Sequence, residues 1–181
     1  RTLISKNMLS GLQLTGEVKL GNPELEKLRI GIRDDWPFLQ SAIMKVMAEI
    51  TPKEMNQLRQ EWLGKTETTK TSEAPDKVSL TNAEKKWLEK HKVLRLGADP
   101  AWPPYDFVDV SGKQRGFAAD LLDLLSKRLG ISFKPVPDLT WPQVLKAARE
   151  RSLDVISIIS ETPERTEYLK FSTRLLSNPW V

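Results

Sequence analysis

The chain has 181 residues, 39% of them hydrophobic and 29% charged, which is enough apolar chain for one or two small domains with a packed core. It holds no cysteine and one histidine, His91, which excludes a disulfide framework, a thiolate metal site and a zinc site built on histidines. The formal charge of +4 is spread along the sequence and not gathered in a basic tract, so no nucleic-acid partner is expected.

In chain order, Leu28–Ile32 is predicted as a strand. Asp35 can cap the helix after it, in which Leu39, Ile43, Val46, Met47 and Ile50 recur on one face. Thr51-Pro52-Lys53-Glu54 opens a second helix as a capping box with proline in its first turn, and Met55, Leu58 and Trp62 form its apolar stripe. From Gly64 to Ser79 the chain is rich in Thr, Ser, Lys and Glu with almost nothing to bury, the composition of a linker. Thr81 to Glu84 is another capping box, and a strand follows at Val93–Gly97. A helix over Phe117–Leu129 turns Phe117, Leu121, Leu124, Leu125 and Leu129 inward and ends at Gly130, a left-handed cap. Then come a strand near Ile131–Val136, a helix over Trp141–Arg151 capped by Thr140, and a strand over Leu153–Ile159. The run at 155–159 is almost continuously apolar, as in a strand buried on both faces. This β-α-β-α-β order calls for parallel strands and right-handed crossovers.

The sequence offers little for catalysis. It has no nucleophile elbow, no Gly-rich phosphate loop, and neither a histidine nor a cysteine placed as a base near neutral pH. Glu161 and Glu164 have the spacing of paired carboxylates, but they share a short turn with Arg165 and read as its solvated face. No enzyme, metal or cofactor is therefore expected.

A binding site is better supported. In an open α/β sheet, ligands sit beyond the carboxyl ends of the strands. The strand at 93–97 runs into Asp99, Trp102 and Tyr105, and the strand at 153–159 into Ser160, Thr162 and Arg165. Arg165 can grip a carboxylate with a planar fork, and Thr162-Pro163 opens a turn whose N–H groups favour an anion. Ser160 adds a hydroxyl, Asp99 could take an ammonium group, and Trp102, Tyr105 and Trp141 could supply flat walls. The competing structural roles are equally concrete: Asp99 capping the turn before Pro100, Trp102, Tyr105 and Trp141 packing, and Arg165 pairing with Glu161 or Glu164 on the surface.

The segment from Leu94-Arg95-Leu96-Gly97-Ala98-Asp99 with Trp102-Pro103-Pro104-Tyr105, through Gly116-Phe117-Ala118-Ala119-Asp120-Leu121-Leu122, Trp141 and Leu153-Asp154-Val155, to Ser160-Glu161-Thr162-Pro163-Glu164-Arg165 and Phe171-Ser172 resembles the extracellular solute-binding proteins of family 3, the amino-acid-binding type II periplasmic or Venus flytrap fold. The lead-in Leu80 to Leu88 is similar to that of the later flytraps in tandem sensor proteins. The resemblance implies an α/β, type II-like lobe at 81–181, a linker at 64–80, and the C-terminal part of a first flytrap at 1–63, with Leu3–Leu20 as the tail of its second lobe and Leu28 onward as its closing strand and helices. It implies a cleft lined by the positions of Asp99, Trp102, Trp141, Ser160 and Arg165, the arginine on an α-carboxylate. Ala118 stands where binders of basic amino acids carry an acid, so a neutral or acidic amino acid or related carboxylate is the expected ligand.

On this resemblance the chain is the periplasmic sensing region of a transmembrane receptor, a sensor histidine kinase, with the rest of that receptor as its partner and a homodimer allowed. Alternatives are the binding protein of an amino-acid transporter or the non-catalytic domain of a cell-wall lytic enzyme. No apolar run approaches the ~18 residues of a membrane span, and the chain opens on Arg1 without a signal peptide, so an excerpt of a longer chain is expected. The preferred expectation for Leu28–Ile32 is packing as in its own, preceding flytrap. Pairing with the sheet of residues 93–159 is the alternative.

Overall fold

A computed structural model describes residues 27–64 and 79–177; the expected tail at Leu3–Leu20 and most of the linker lie outside the described residues. A first strand, β1 (Lys27–Arg33), precedes helices α1 (Pro37–Ala48) and α2 (Pro52–Leu63). The chain resumes in α3 (Asn82–Lys90), β2 (Val93–Gly97), β3 (Ala101–Trp102), β4 (Asp106–Val108), β5 (Gln114–Arg115), α4 (Phe117–Leu129), β6 (Ser132–Pro135), α5 (Trp141–Arg149) and β7 (Val155–Ser160). A 3₁₀ turn at Arg165–Glu167 leads to β8 (Leu169–Phe171) and β9 (Leu176–Ser177).

Where a signal acts within one turn of chain, the expected structure forms. Thr51 accepts from the Glu54 N–H while the Glu54 carboxylate accepts from the Thr51 N–H, and Thr81 and Glu84 repeat the arrangement. Gly64 and Gly130 close α2 and α4 with φ of 61° and 66°, where a side chain would be strained. Asp35 does not cap α1. Its two carboxylate oxygens accept from the Arg33 fork at 2.7 and 2.8 Å, and Trp36 takes the N-cap position without a side-chain cap bond. A bidentate charge-assisted pair outcompetes a single bond to a backbone amide.

The main sheet runs β6-β2-β7-β1-β8, with β9 also paired to β1. β2 is parallel to both β6 and β7, as the β-α-β-α-β order requires. Against the separate packing favoured from sequence, β1 enters this sheet. It lies antiparallel between β7 (Leu28 opposite Ser160, Ile32 opposite Val155) and β8 (Gly31 opposite Phe171). The physical reason is burial: Leu28, Ile30 and Ile32 are at most 1% exposed and share one core with Leu39, Ile43, Leu94, Leu121 and Leu125. Each such side chain contributes about 1.5–3 kcal/mol on leaving water. A second cluster on the opposite face gathers Val144 and Ala148 of α5 against Ile156, Ile159 and Leu169. The result is a three-layer α/β lobe, with a small separate β3-β4-β5 sheet between β2 and α4.

Candidate functional site

The sequence-predicted residues fall into two groups at the ends of β2 and β7. In the first, Asp99 accepts the Ala101 N–H through its side chain at 2.9 Å, so it caps the turn around Pro100. Trp102 and Tyr105 stack tilted with ring centroids 5.0 Å apart, and both pack on the main core. Gly116, with φ of 115°, lies under this turn; a Cβ there would meet the Tyr105 carbonyl oxygen at 2.6 Å. Trp141, the first residue of α5, packs instead on the second cluster, so the structure does not gather the three rings into one wall.

The second group is one compact turn. Ser160 ends β7, and its carbonyl accepts from the Arg165 guanidinium at 2.8 Å. Thr162 takes the Arg165 N–H through both its carbonyl, at 3.0 Å, and its hydroxyl, at 3.3 Å. That amide is therefore committed within the turn, and the guanidinium is the group left to meet an anion. Glu161 pairs with Arg29 at 3.1 Å, and Glu164 pairs with Arg149. The surface pairing of Arg165 with either acid is thus not what forms, and none of the salt bridges among the described residues includes Arg165. Burial lowers its pKa from the ordinary arginine value, the mark of a partly desolvated cation.

A residue that the sequence did not announce ties the loop after β2 to the middle of β7. Asp106 is 0% exposed. It accepts from the Asp99 N–H at 3.0 Å, from the Gln114 amide at 2.7 Å and from the Ser157 hydroxyl. Ser157, in the middle of β7, is buried and serves this network, whereas Ser160 is the serine at the strand end. The only signal for Asp106 in sequence was an acid flanked by Tyr105 and Phe107, which is no more than any β-turn shows. A recess of about 650 Å³ lined by Glu54, Leu58, Glu61, Asp120, Asp123 and Lys127 lies between α2 and α4 and contains none of the seven predicted residues. Among the described residues no acidic or histidine cluster could hold a metal ion, and no helix is long and apolar enough to cross a membrane.

Asp106 sets a pH dependence. Burial pushes its carboxyl up to about 6 from 3.8, against the hydrogen bonds from Ser157, Gln114 and Asp99. Between those values the folded state binds more protons than the unfolded chain, so stability falls as pH rises through that window. The contribution is on the order of 3 kcal/mol. Urea melts from pH 4 to 6.5 are expected to show this loss, and Asp106→Asn to flatten it. An unchanged pH slope in the variant would exclude Asp106 as its source. Glu84 acts in the opposite sense. Burial alone would raise its pKa, but bonds from Lys45, Ser41 and Thr81 bring it to about 2, so its stabilisation is lost only as pH falls from about 4.5 toward that value.

Residues 94–180 match the model of bacterial extracellular solute-binding proteins, family 3. The sensor protein EvgS of Escherichia coli is 27% identical over 107 residues, which are 58% of this chain and 9% of EvgS. An octopine-binding periplasmic protein of Rhizobium meliloti is 29% identical over 85 residues, 46% of this chain and 29% of that protein. Among solved structures, the periplasmic domain of BvgS from B. pertussis aligns with 48% of this chain and 17% of its own, at 20% identity and a TM-score of 0.45. The chain therefore spans under a third of either relative's length.

Proposed function

Residues 94–180 belong to the bacterial extracellular solute-binding proteins, family 3, and from that premise we propose that this chain is part of the periplasmic sensing region of a transmembrane receptor, a sensor histidine kinase. Its ligand is a neutral or acidic amino acid or a related carboxylate. On this reading 81–181 is the first lobe of one flytrap, 64–80 the linker, and 1–63 the closing part of a preceding flytrap. The likeness to EvgS supports the receptor reading, and the likeness to a periplasmic solute binder supports the compartment.

The observation that carries the ligand reading is the Arg165 turn. A partly desolvated guanidinium stands at the carboxyl end of a buried strand and donates to the Ser160 carbonyl, on a turn where Thr162 accepts the Arg165 N–H, while the two acids beside it in sequence are engaged by Arg29 and Arg149. Such a group binds a carboxylate through charge-assisted hydrogen bonds. Ala118 stands where the family's binders of basic amino acids carry an acid, which supports a ligand without a second positive charge. Closure of a second lobe over this wall would bias a hinge equilibrium and pass the signal toward the membrane.

The test uses the complete binding domain titrated calorimetrically with L-amino acids. Arg165→Ala is expected to cost about 2–3 kcal/mol of affinity, roughly a 30- to 150-fold rise in Kd. An unchanged Kd in the variant would remove Arg165 from the site.

A further inference from the structure

Residues 160–165 hold two carboxylates, Glu161 and Glu164, against one guanidinium, Arg165, so the turn by itself carries a formal charge of −1 and repels an anion. Glu161 is placed to cancel Arg165. It stands four residues earlier, the spacing at which side chains on a helical turn meet. The Thr162 carbonyl accepts from the N–H groups of Arg165 and Thr166 at 3.0 and 3.1 Å, which makes 162–166 such a turn. The Arg165 guanidinium folds back onto the Ser160 carbonyl at 2.8 Å, one residue from Glu161. A glutamate side chain is long enough to reach a group held there.

The Glu161 carboxylate points elsewhere. It lies 3.1 Å from Arg29 Nε, and the same guanidinium donates through Nη1 to the Ser172 carbonyl at 2.9 Å. The backbone fixes Arg29 as well: in the β1–β7 ladder it stands opposite Ile159, and Leu28 opposite Ser160. Its side chain is 19% exposed and that of Glu161 37%. The pair of Glu164 with Arg149 is 71% and 57% exposed, so water and salt screen it more. Together the two arginines turn the local formal charge from −1 to +1, and Arg29 contributes the less screened half.

We infer that Arg29 is a positioning residue for the ligand: by holding Glu161 against β1 it leaves the Arg165 guanidinium available to a carboxylate. The inference rests on the ligand reading of Arg165. Arg29 lies outside residues 94–180, the part that matches the family, and it acts through Glu161. Without it Glu161 would take the guanidinium, and an incoming carboxylate would have to displace that pair first.

The test reads the state of Arg165 with no ligand present. Phenylglyoxal modifies accessible, unpaired guanidinium groups. Peptide mass spectrometry of the full chain gives the rate at Arg165 relative to that at Arg115, an exposed arginine on β5. Arg29→Gln is expected to slow Arg165 about two- to fivefold, the range that an ion pair of this exposure supports. Arg29→Gln combined with Glu161→Gln is expected to restore the wild-type rate, a rescue that a merely structural loss would not show. Arg29→Lys keeps the charge and should keep the rate. Glu161→Gln alone changes a half-exposed side chain outside the core, and it should leave the rate as it is because Glu161 is already engaged. A rate that stays constant in Arg29→Gln, or that rises in Glu161→Gln, would overturn the inference. The ligand reading fails separately. An unchanged Kd in Arg165→Ala would remove Arg165 from the site and leave these rates untouched. A failed rate pattern beside a weakened Arg165→Ala would remove only the role of Arg29.

Discussion

Asp154→Ala is expected to destabilise the protein by about 3–5 kcal/mol at neutral pH, the cost of breaking a buried ion pair from one side. The Asp154 carboxylate accepts four bonds: from the Arg95 N–H at 2.8 Å, from the Arg95 guanidinium at 3.1 and 2.7 Å, and from Arg33 at 3.2 Å. Arg33 ends β1, Arg95 lies in β2 and Asp154 immediately precedes β7, so one side chain ties three neighbouring strands. Truncation leaves a backbone donor and part of two guanidinium groups without their acceptor. Burial alone would raise the Asp154 pKa, but the bonds from Arg95 and Arg33 hold it below 3.8. A depressed folded pKa places the stabilisation above the unfolded value and removes it as pH falls. The difference between wild type and variant in urea melts should therefore shrink from pH 7 to pH 3. An equal penalty at both pH values would assign the loss to packing instead. Total stabilities of domains this size are about 5–15 kcal/mol, so the variant should lose a large part of its margin.

Ile30→Ala is expected to cost about 2–5 kcal/mol, the range for a buried aliphatic side chain cut back to a methyl group. Ile30 is 0% exposed at the centre of β1, and both its backbone groups bond to Ser172, 142 residues away. Were residues 27–33 a surface appendage of the lobe, the same substitution would cost a few tenths of a kcal/mol, as expected for Val110→Ala at a fully exposed position. Paired denaturation midpoints decide between the two. A loss below about 1 kcal/mol for Ile30→Ala would remove β1 from the cooperative core.

Features whose energies act over a few residues were legible in the chain before any fold was known. Thr51 with Glu54, Thr81 with Glu84, and Gly130 were legible because a cap is settled within one helical turn. The run at 155–159 declared a strand buried on both faces, and the alternation of strands with helices dictated the parallel β2, β6 and β7. The arginine of the candidate site was legible too, since its residue type and its place after a buried strand are both local facts. Which partner each charged group takes was settled by folding, because most of the competing groups lie far apart in sequence. Asp35 went to Arg33 and not to a helix end, Glu161 and Glu164 went to Arg29 and Arg149 and not to Arg165, and Asp106 became the link between the loop after β2 and the buried strand β7. The same holds for β1, whose apolar pattern announces a strand but not its neighbours. Hydrophobic burial is non-directional, so the stripe of Leu28, Ile30 and Ile32 suits any complementary sheet. The choice of the slot between β7 and β8 rests on ladder register and on ion pairs spanning more than a hundred residues, contacts that no stretch of sequence contains until the chain has folded.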